Sequence, residues 1–203
     1  MIPLNLEPFI FDCEVFAYDW LFVFKNKVTG EYTEIWNDNE AVEQFMTQEP
    51  LLAGFNNKHY DQFILKAVLS GFTPEEIKAV NDFIIVGGHE GWEYAPLRDC
   101  GIFFDQYDLM DDCQMGLSLK AIEAHLGMDI RETTVPFNID RPLTEDEKRE
   151  VEFYCRHDVD ATDRLDDLRQ GYLSSKLTLG REKGLYPAKA LYMTNAKLTA
   201  AYL

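Results

Sequence analysis

Residues 9–16, Phe9-Ile10-Phe11-Asp12-Cys13-Glu14-Val15-Phe16, form an aromatic and β-branched run that reads as a strand of a buried sheet, yet it carries two acids. Asp12 and Glu14 sit two apart, so in a strand they point to one face, about 7 Å from each other. Two carboxylates on a core strand repel and raise one another's pKa. The simplest relief is a divalent cation with oxygen ligands, Mg²⁺ or Mn²⁺. The alternative is an edge strand with a solvated polar face, buried only through Cys13 and Val15, and the pair alone does not choose between the two.

Around this strand the chain alternates in type. Residues 20–26 and 31–36, the latter after the turn signal at Thr29-Gly30, continue a meander. Asn39 is placed to cap a helix to about residue 47, Pro50 breaks it, and residues 51–55 form a short buried strand. Helices follow over 60–69, ended by Gly71, and from Pro74 with Thr73 as its cap. Residues 87–101 are a Gly-rich loop, 102–109 a fifth strand ending in acids, and Ser118 opens a helix to residue 126 that Gly127 stops. Thr144 with Glu147 makes a capping box at the head of a long helix to about residue 172. Three antiparallel strands followed by strands alternating with helices predict an α/β fold with a mixed five-stranded sheet flanked by helices.

The 203 residues are 46% hydrophobic and 13% aromatic, which excludes a disordered chain and suffices for one sizeable core. No apolar run approaches the roughly 20 residues that span a bilayer, and the first residues lack the parts of a signal peptide, so a cytoplasmic protein with no membrane partner is expected. Cys13, Cys100, Cys113 and Cys155 form no CxxC pair and read as buried reduced thiols; a zinc site from Cys113, Cys155 and His157 would lack a local ligand pair to nucleate it. The net charge of −17 weighs against gripping a nucleic-acid duplex through its phosphates. A single strand end needs fewer basic contacts, and another domain or chain can supply the grip. Residues 174–203 differ in carrying Lys176, Arg181, Lys183, Lys189 and Lys197 against Glu182 alone. They are expected to form a helical segment, helical over 186–203, leading from a domain of residues 1–173 into a longer chain.

Two further constellations carry chemistry. Tyr154 and Asp158, four apart in the long helix, project from one face about 6 Å apart along its axis. The aspartate can complete a cation's ligand set while the tyrosine hydroxyl holds a water; the bland reading makes Asp158 one acid among Asp160, Asp163, Asp166 and Asp167. Asp61 opens a helix after the corner Asn57-Lys58-His59-Tyr60. The helix dipole is a sufficient reason for an acid there, but corners at the carboxyl ends of strands also converge on one crevice in an α/β sheet.

As an ordered set, Asp12-Cys13-Glu14, Asn57-Lys58-His59-Tyr60-Asp61 and Tyr154-Cys155-Arg156-His157-Asp158 resemble the three motifs of the DEDD exonuclease superfamily. The other branch of that superfamily places a histidine five residues before the last aspartate, where Phe153 stands here, so the match is to the tyrosine branch. Leu117-Ser118-Leu119-Lys120, followed by Gly127, is similar to the stretch before the third motif in proofreading domains of phage-type DNA polymerases. The resemblance covers roughly residues 8–172 and implies a ribonuclease H-like fold and a metal-dependent 3′-to-5′ exonuclease.

It also implies the division of labour. Asp12, Glu14 and Asp158 hold one of two Mg²⁺ or Mn²⁺ ions, Asp12 shares the second, Asp61 reaches that second ion through water, and Tyr154 orients the attacking water. Phe16, on the strand face of Asp12 and Glu14, is a candidate either to stack the terminal base or to join the core, and Asn57 either to bond the sugar or phosphate or to serve the turn. Lys58, His59, Arg156 and His157 are candidate phosphate contacts, with ordinary solvated surface residues as the favoured alternative. The partners implied are a single-stranded DNA 3′ end and a covalently linked polymerase domain; the alternatives are a freestanding enzyme that trims DNA or RNA and a non-catalytic scaffold that kept the fold. Asp108, Asp111 and Asp112 are expected to face water.

Overall fold

The strand predicted over 9–16 lies at the centre of the sheet, not at its edge. A computed structural model describes residues 8–113 and 117–202, without the side chains of Asp112 and Tyr202, so the role expected of Asp112 and the reading of the first residues fall outside it. Strands β1 (Pro8–Val15), β2 (Trp20–Asn26) and β3 (Tyr32–Trp36) form the antiparallel meander, and β4 (Leu51–Gly54) and β5 (Gln106–Asp108) add in parallel, giving a mixed five-stranded sheet in the order β3-β2-β1-β4-β5. β4 pairs with β1 only at Pro8, Phe9 and Ile10, so Asp12 and Glu14 lie past the end of that pairing, where a cleft opens.

Alternation along β1 divides the interior into two cores. Phe11, Cys13 and Val15 face one way, with Phe22 and Phe24, against Phe45 of α1 (Asn39–Met46), Ile64 and Val68 of α2 (Asp61–Leu69), and Ile77 of α3 (Pro74–Ile85). Phe24 and Phe45 stack with ring centres 4.1 Å apart. Ile10 and Phe16 face the other way, with Leu21, Val23 and Tyr107, against Val151, Cys155 and Val159 of α6 (Glu145–Glu182) and Ala188 and Leu191 of α7 (Pro187–Tyr192). Burying side chains of this size stabilises the fold by about 1.5–3 kcal/mol each. Asp12 and Glu14 are the polar interruption of this second face, directly under α6.

The helix α6 begins as predicted, with Thr144 and Glu147 forming a reciprocal capping box. Its acids Asp160, Asp163, Asp166 and Asp167 are taken up by Lys25 of β2 and Lys27 just after it, Lys27 lying 3.0 Å from the fully buried Asp166. That network fixes α6 across the sheet and leaves Asp158, two residues before Asp160, apart from it.

Several boundaries differ from expectation. Asp38, not Asn39, caps α1, accepting from the Ala41 N–H, because Asn39 turns its amide to the carbonyls of Val68 and Phe72. β5 spans three residues instead of 102–109, since β4 is short and Phe103 stays 90% exposed beside it. Residues 87–101 contain a 3-10 turn (Gly91–Glu93) and the short helix α4 (Ala95–Arg98). α5 (Leu119–Leu126) has Ser118 and Gly127 at its ends, as predicted. α6 continues ten residues beyond 172, because Leu173 and Gly180 pack on α7; a Cβ at Gly180 would sit 2.4 Å from that of Ala190. Residue 173 therefore lies inside a helix whose packing is continuous with the sheet's second core. The tail is two helices, α7 and α8 (Asn195–Tyr202), interrupted where Met193 becomes extended. Among the described residues no helix is long and apolar enough to cross a membrane.

Candidate metal centre

Four carboxylates from three distant segments converge above the end of β4. Asp12 and Glu14 come from β1, Asp61 from the first turn of α2 and Asp158 from α6; Glu14, Asp61 and Asp158 are 8%, 3% and 8% exposed. Carboxylate oxygens of Asp12 and Glu14 and the Cys155 sulfur all lie within 4.8 Å of one another. Burial first, then the charges of Asp61, Glu14 and Asp158, holds Asp12 well above the ordinary carboxylate range. Glu14 is raised likewise by burial, Asp158 and Asp61, with Lys120 opposing. Asp61 is pushed up to about 7, chiefly by burial, although bonds from the Cys13 thiol and from backbone N–H groups work the other way. Burial and neighbouring negative charge thus raise Asp12 and Glu14, and burial raises Asp61, which is the electrostatic signature of a site built for a counter-charge.

Local chemistry sets these positions. The corner after β4 turns through Asn56 at φ +67°, and the buried Asp108 carboxylate accepts the backbone N–H groups of Asn56 (2.8 Å), Lys58 (3.0 Å) and Met110 (2.8 Å). Asp108 therefore does not face water as expected; it clamps the corner that delivers Asp61. Asp111 is ion-paired with Lys58, which also donates to the Tyr192 carbonyl at 2.6 Å and lies over the Tyr192 ring. The Cys13 thiol donates to Asp61 at 3.2 Å, and the Cys155 thiol to Asp12 at 3.6 Å. The thiols that sequence read as bland are bonded to the candidate ligands. Cys113 instead donates to the Leu109 carbonyl and His157 to that of Asp129, so no zinc set with Cys155 forms among the described residues.

Tyr154 stands one turn before Asp158, and burial with the charges of Asp158 and Glu14 pushes its hydroxyl well up, keeping it protonated. Lys120, in the first turn of α5, pairs with Asp158 and lies 4.8 Å from the centre of the Tyr154 ring. Sequence reasoning passed over this lysine as part of the Leu117-Ser118-Leu119-Lys120 stretch. Its signal was a cation opening the helix that precedes the Tyr154 motif. Glu123, three residues later, is fully buried with its carboxyl raised by burial; it lies 3.5 Å from the Lys120 ammonium and 3.8 Å from His157.

Two candidate substrate contacts lie inside the protein. Asn57 is 0% exposed, its amide 2.8 Å from that of Gln106, and packed so closely that a Cβ on Gly54 would lie 2.8 Å from its own. It supports the corner from inside and has no surface to offer a sugar. Phe16 shares the face of Asp12 and Glu14 but is buried, its ring stacked on Phe137 at 5.2 Å. Phe137, 48% exposed, presents the aromatic surface instead. It borders a pocket of about 380 Å³ beside Glu14, walled also by Val15, Tyr60, Ile85 and Val86. The candidate phosphate contacts are engaged within the protein: His59 with Glu90 at 3.5 Å, Arg156 with Glu34 at 2.7 Å and the Tyr32 ring, and His157 as above.

Oxygen-rich, buried and mutually repelling, this donor set suits a hard divalent cation. No family model, no curated protein and no solved structure matches this chain.

Proposed function

We propose that the chain is a metal-dependent 3′-to-5′ exonuclease of the tyrosine branch of the DEDD superfamily, on a ribonuclease H-like fold, acting on single-stranded DNA 3′ ends as the proofreading part of a DNA polymerase. The convergence of Asp12, Glu14, Asp61 and Asp158 into one buried cluster, with Tyr154 beside it, carries this reading. The mixed five-stranded sheet flanked by helices agrees with it. So does a pocket whose size falls in the roughly 300–1,000 Å³ range of small-ligand sites and whose walls, Phe137, Tyr60 and Val86, suit an unstacked base.

In this reading Asp12, Glu14 and Asp158 would hold one Mg²⁺ or Mn²⁺ ion, and Asp12 and, through water, Asp61 would hold a second. Bound there, the ions would supply an activated water and charge stabilisation for an in-line displacement. The protein's own groups do the remainder. Tyr154, kept protonated, would orient the attacking water. Asp108 fixes the corner so that Asp61 points inward, and Lys120 occupies Asp158 when no cation is there. The net charge of −17 is consistent with a linked polymerase domain supplying most of the grip on the strand.

Asp12→Ala and Asp158→Ala are expected to abolish Mg²⁺-dependent release of nucleotides from a 3′-labelled single strand while thermal melting stays cooperative. Full activity in either variant would refute the assignment.

A further inference from the structure

The Lys120 ammonium stands between two carboxylates. It is paired with Asp158 and lies 3.5 Å from Glu123, and among the described residues these are the acids within ion-pair reach of it. Lys120 and Glu123 are three apart on α5, so a change of partner needs side-chain torsions alone. Glu123 is fully buried, yet neither carboxylate oxygen has a hydrogen-bond partner among the described residues. Burying a carboxylate without hydrogen bonds is costly, and a native structure that retains one calls for a reason. A second state in which the acid is satisfied supplies that reason.

Asp158 cannot serve two cations at once. A divalent ion bound to its carboxylate would stand next to the ammonium of Lys120, and like charges at that distance repel strongly in a half-buried site. The lysine must leave, and an ammonium with no acceptor would resist leaving. Tyr154, under Lys120 at 4.8 Å, keeps the chain directed at this region. We propose that Glu123 is a positioning residue that receives Lys120 when a divalent cation takes Asp158, and so sets how readily the cation displaces the lysine. The inference rests on the reading of Asp158 as a cation ligand.

Manganese binding to the EDTA-stripped 203-residue chain, followed by the electron paramagnetic resonance signal of free Mn²⁺, separates the possibilities. Glu123→Gln should weaken binding about tenfold, the size usual for coupled sites. In a Lys120→Met background the same substitution should change affinity less than about twofold, because no ammonium then needs a destination. Equal weakening in both backgrounds would show that Glu123 acts as a distant charge or a packing element, and would overturn the proposal. Unchanged affinity for Glu123→Gln beside tight binding by the wild type would overturn it too, leaving the cation site standing. A wild type that binds no Mn²⁺ would overturn both. Should Glu123→Gln fail to fold, a wild-type crystal structure with Mn²⁺ decides: the ammonium is expected against Glu123 and off Asp158, and its persistence on Asp158 refutes the exchange.

Discussion

Removing one charge from the cluster should stabilise the protein when no metal is present, and Asp61 is the position where the size can be worked out. Its pKa is pushed from the ordinary 3.8 to about 7 in the folded chain. A folded pKa above the unfolded one means that the acid favours folding only while protonated; stability is lost as pH rises from about 4 to about 7. At about 1.4 kcal/mol for each tenfold change in proton affinity, keeping Asp61 ionised at pH 8 costs the fold about 4 kcal/mol. At pH 5 the cost is below about 2 kcal/mol by the same reckoning. Asp61→Asn keeps an oxygen to accept the Cys13 thiol but brings an amide N–H₂ that needs a partner, which takes back about 1–2 kcal/mol. The net expectation at pH 8 in EDTA is a gain of about 2–3 kcal/mol, or about 4–12 °C in melting temperature for a chain of this length. Circular dichroism melts of wild type and variant at pH 5 and pH 8, with EDTA throughout, measure it. A variant that melts at or below the wild type at pH 8 would refute the claim that burial and mutual repulsion dominate this cluster.

Other consequences follow from the corner that places Asp61. Asp108→Ala leaves three backbone N–H groups without their acceptor; it should cost about 2–4 kcal/mol in urea unfolding and weaken Mn²⁺ binding although Asp108 is no ligand. Gly54→Ala forces a Cβ to within 2.8 Å of Asn57 and should destabilise by about 1–3 kcal/mol, with a normal melt arguing against the tight packing of the corner. Added Mn²⁺ should raise the wild-type melting temperature more at pH 8 than at pH 5, because protons compete for the same carboxylates, and a metal effect that grew toward pH 5 would contradict this.

The features legible in the chain were those carried by local pattern. Apolar runs marked the meander and β4, and the cap at Thr73 and the capping box at Thr144 marked the starts of α3 and α6. Parity put Asp12 and Glu14 on one face, and four-residue spacing put Tyr154 beside Asp158. Parity also grouped Phe16 with the acids, but it says which face a ring takes and not whether another ring covers it, and Phe137 does so from 121 residues away. Asn57 failed for a similar reason, since only the packing of Gly54 and Gln106 against it shows that it points inward. Asp108 and Lys120 act through contacts 52 and 38 residues distant, for which no local pattern exists. At Asp38-Asn39 both residues are good caps, and what decides between them is the tertiary pair of carbonyls that Asn39 satisfies.

Crystals of the chain grown with Mn²⁺ and a deoxynucleoside 5′-monophosphate, measured at the manganese absorption edge, test the site most directly. Two anomalous peaks about 3.5–4 Å apart are expected between Asp12, Glu14, Asp61 and Asp158, with the Lys120 ammonium displaced from Asp158. Absence of any peak among these four carboxylates at saturating Mn²⁺, or peaks only elsewhere on the protein, would contradict the assignment.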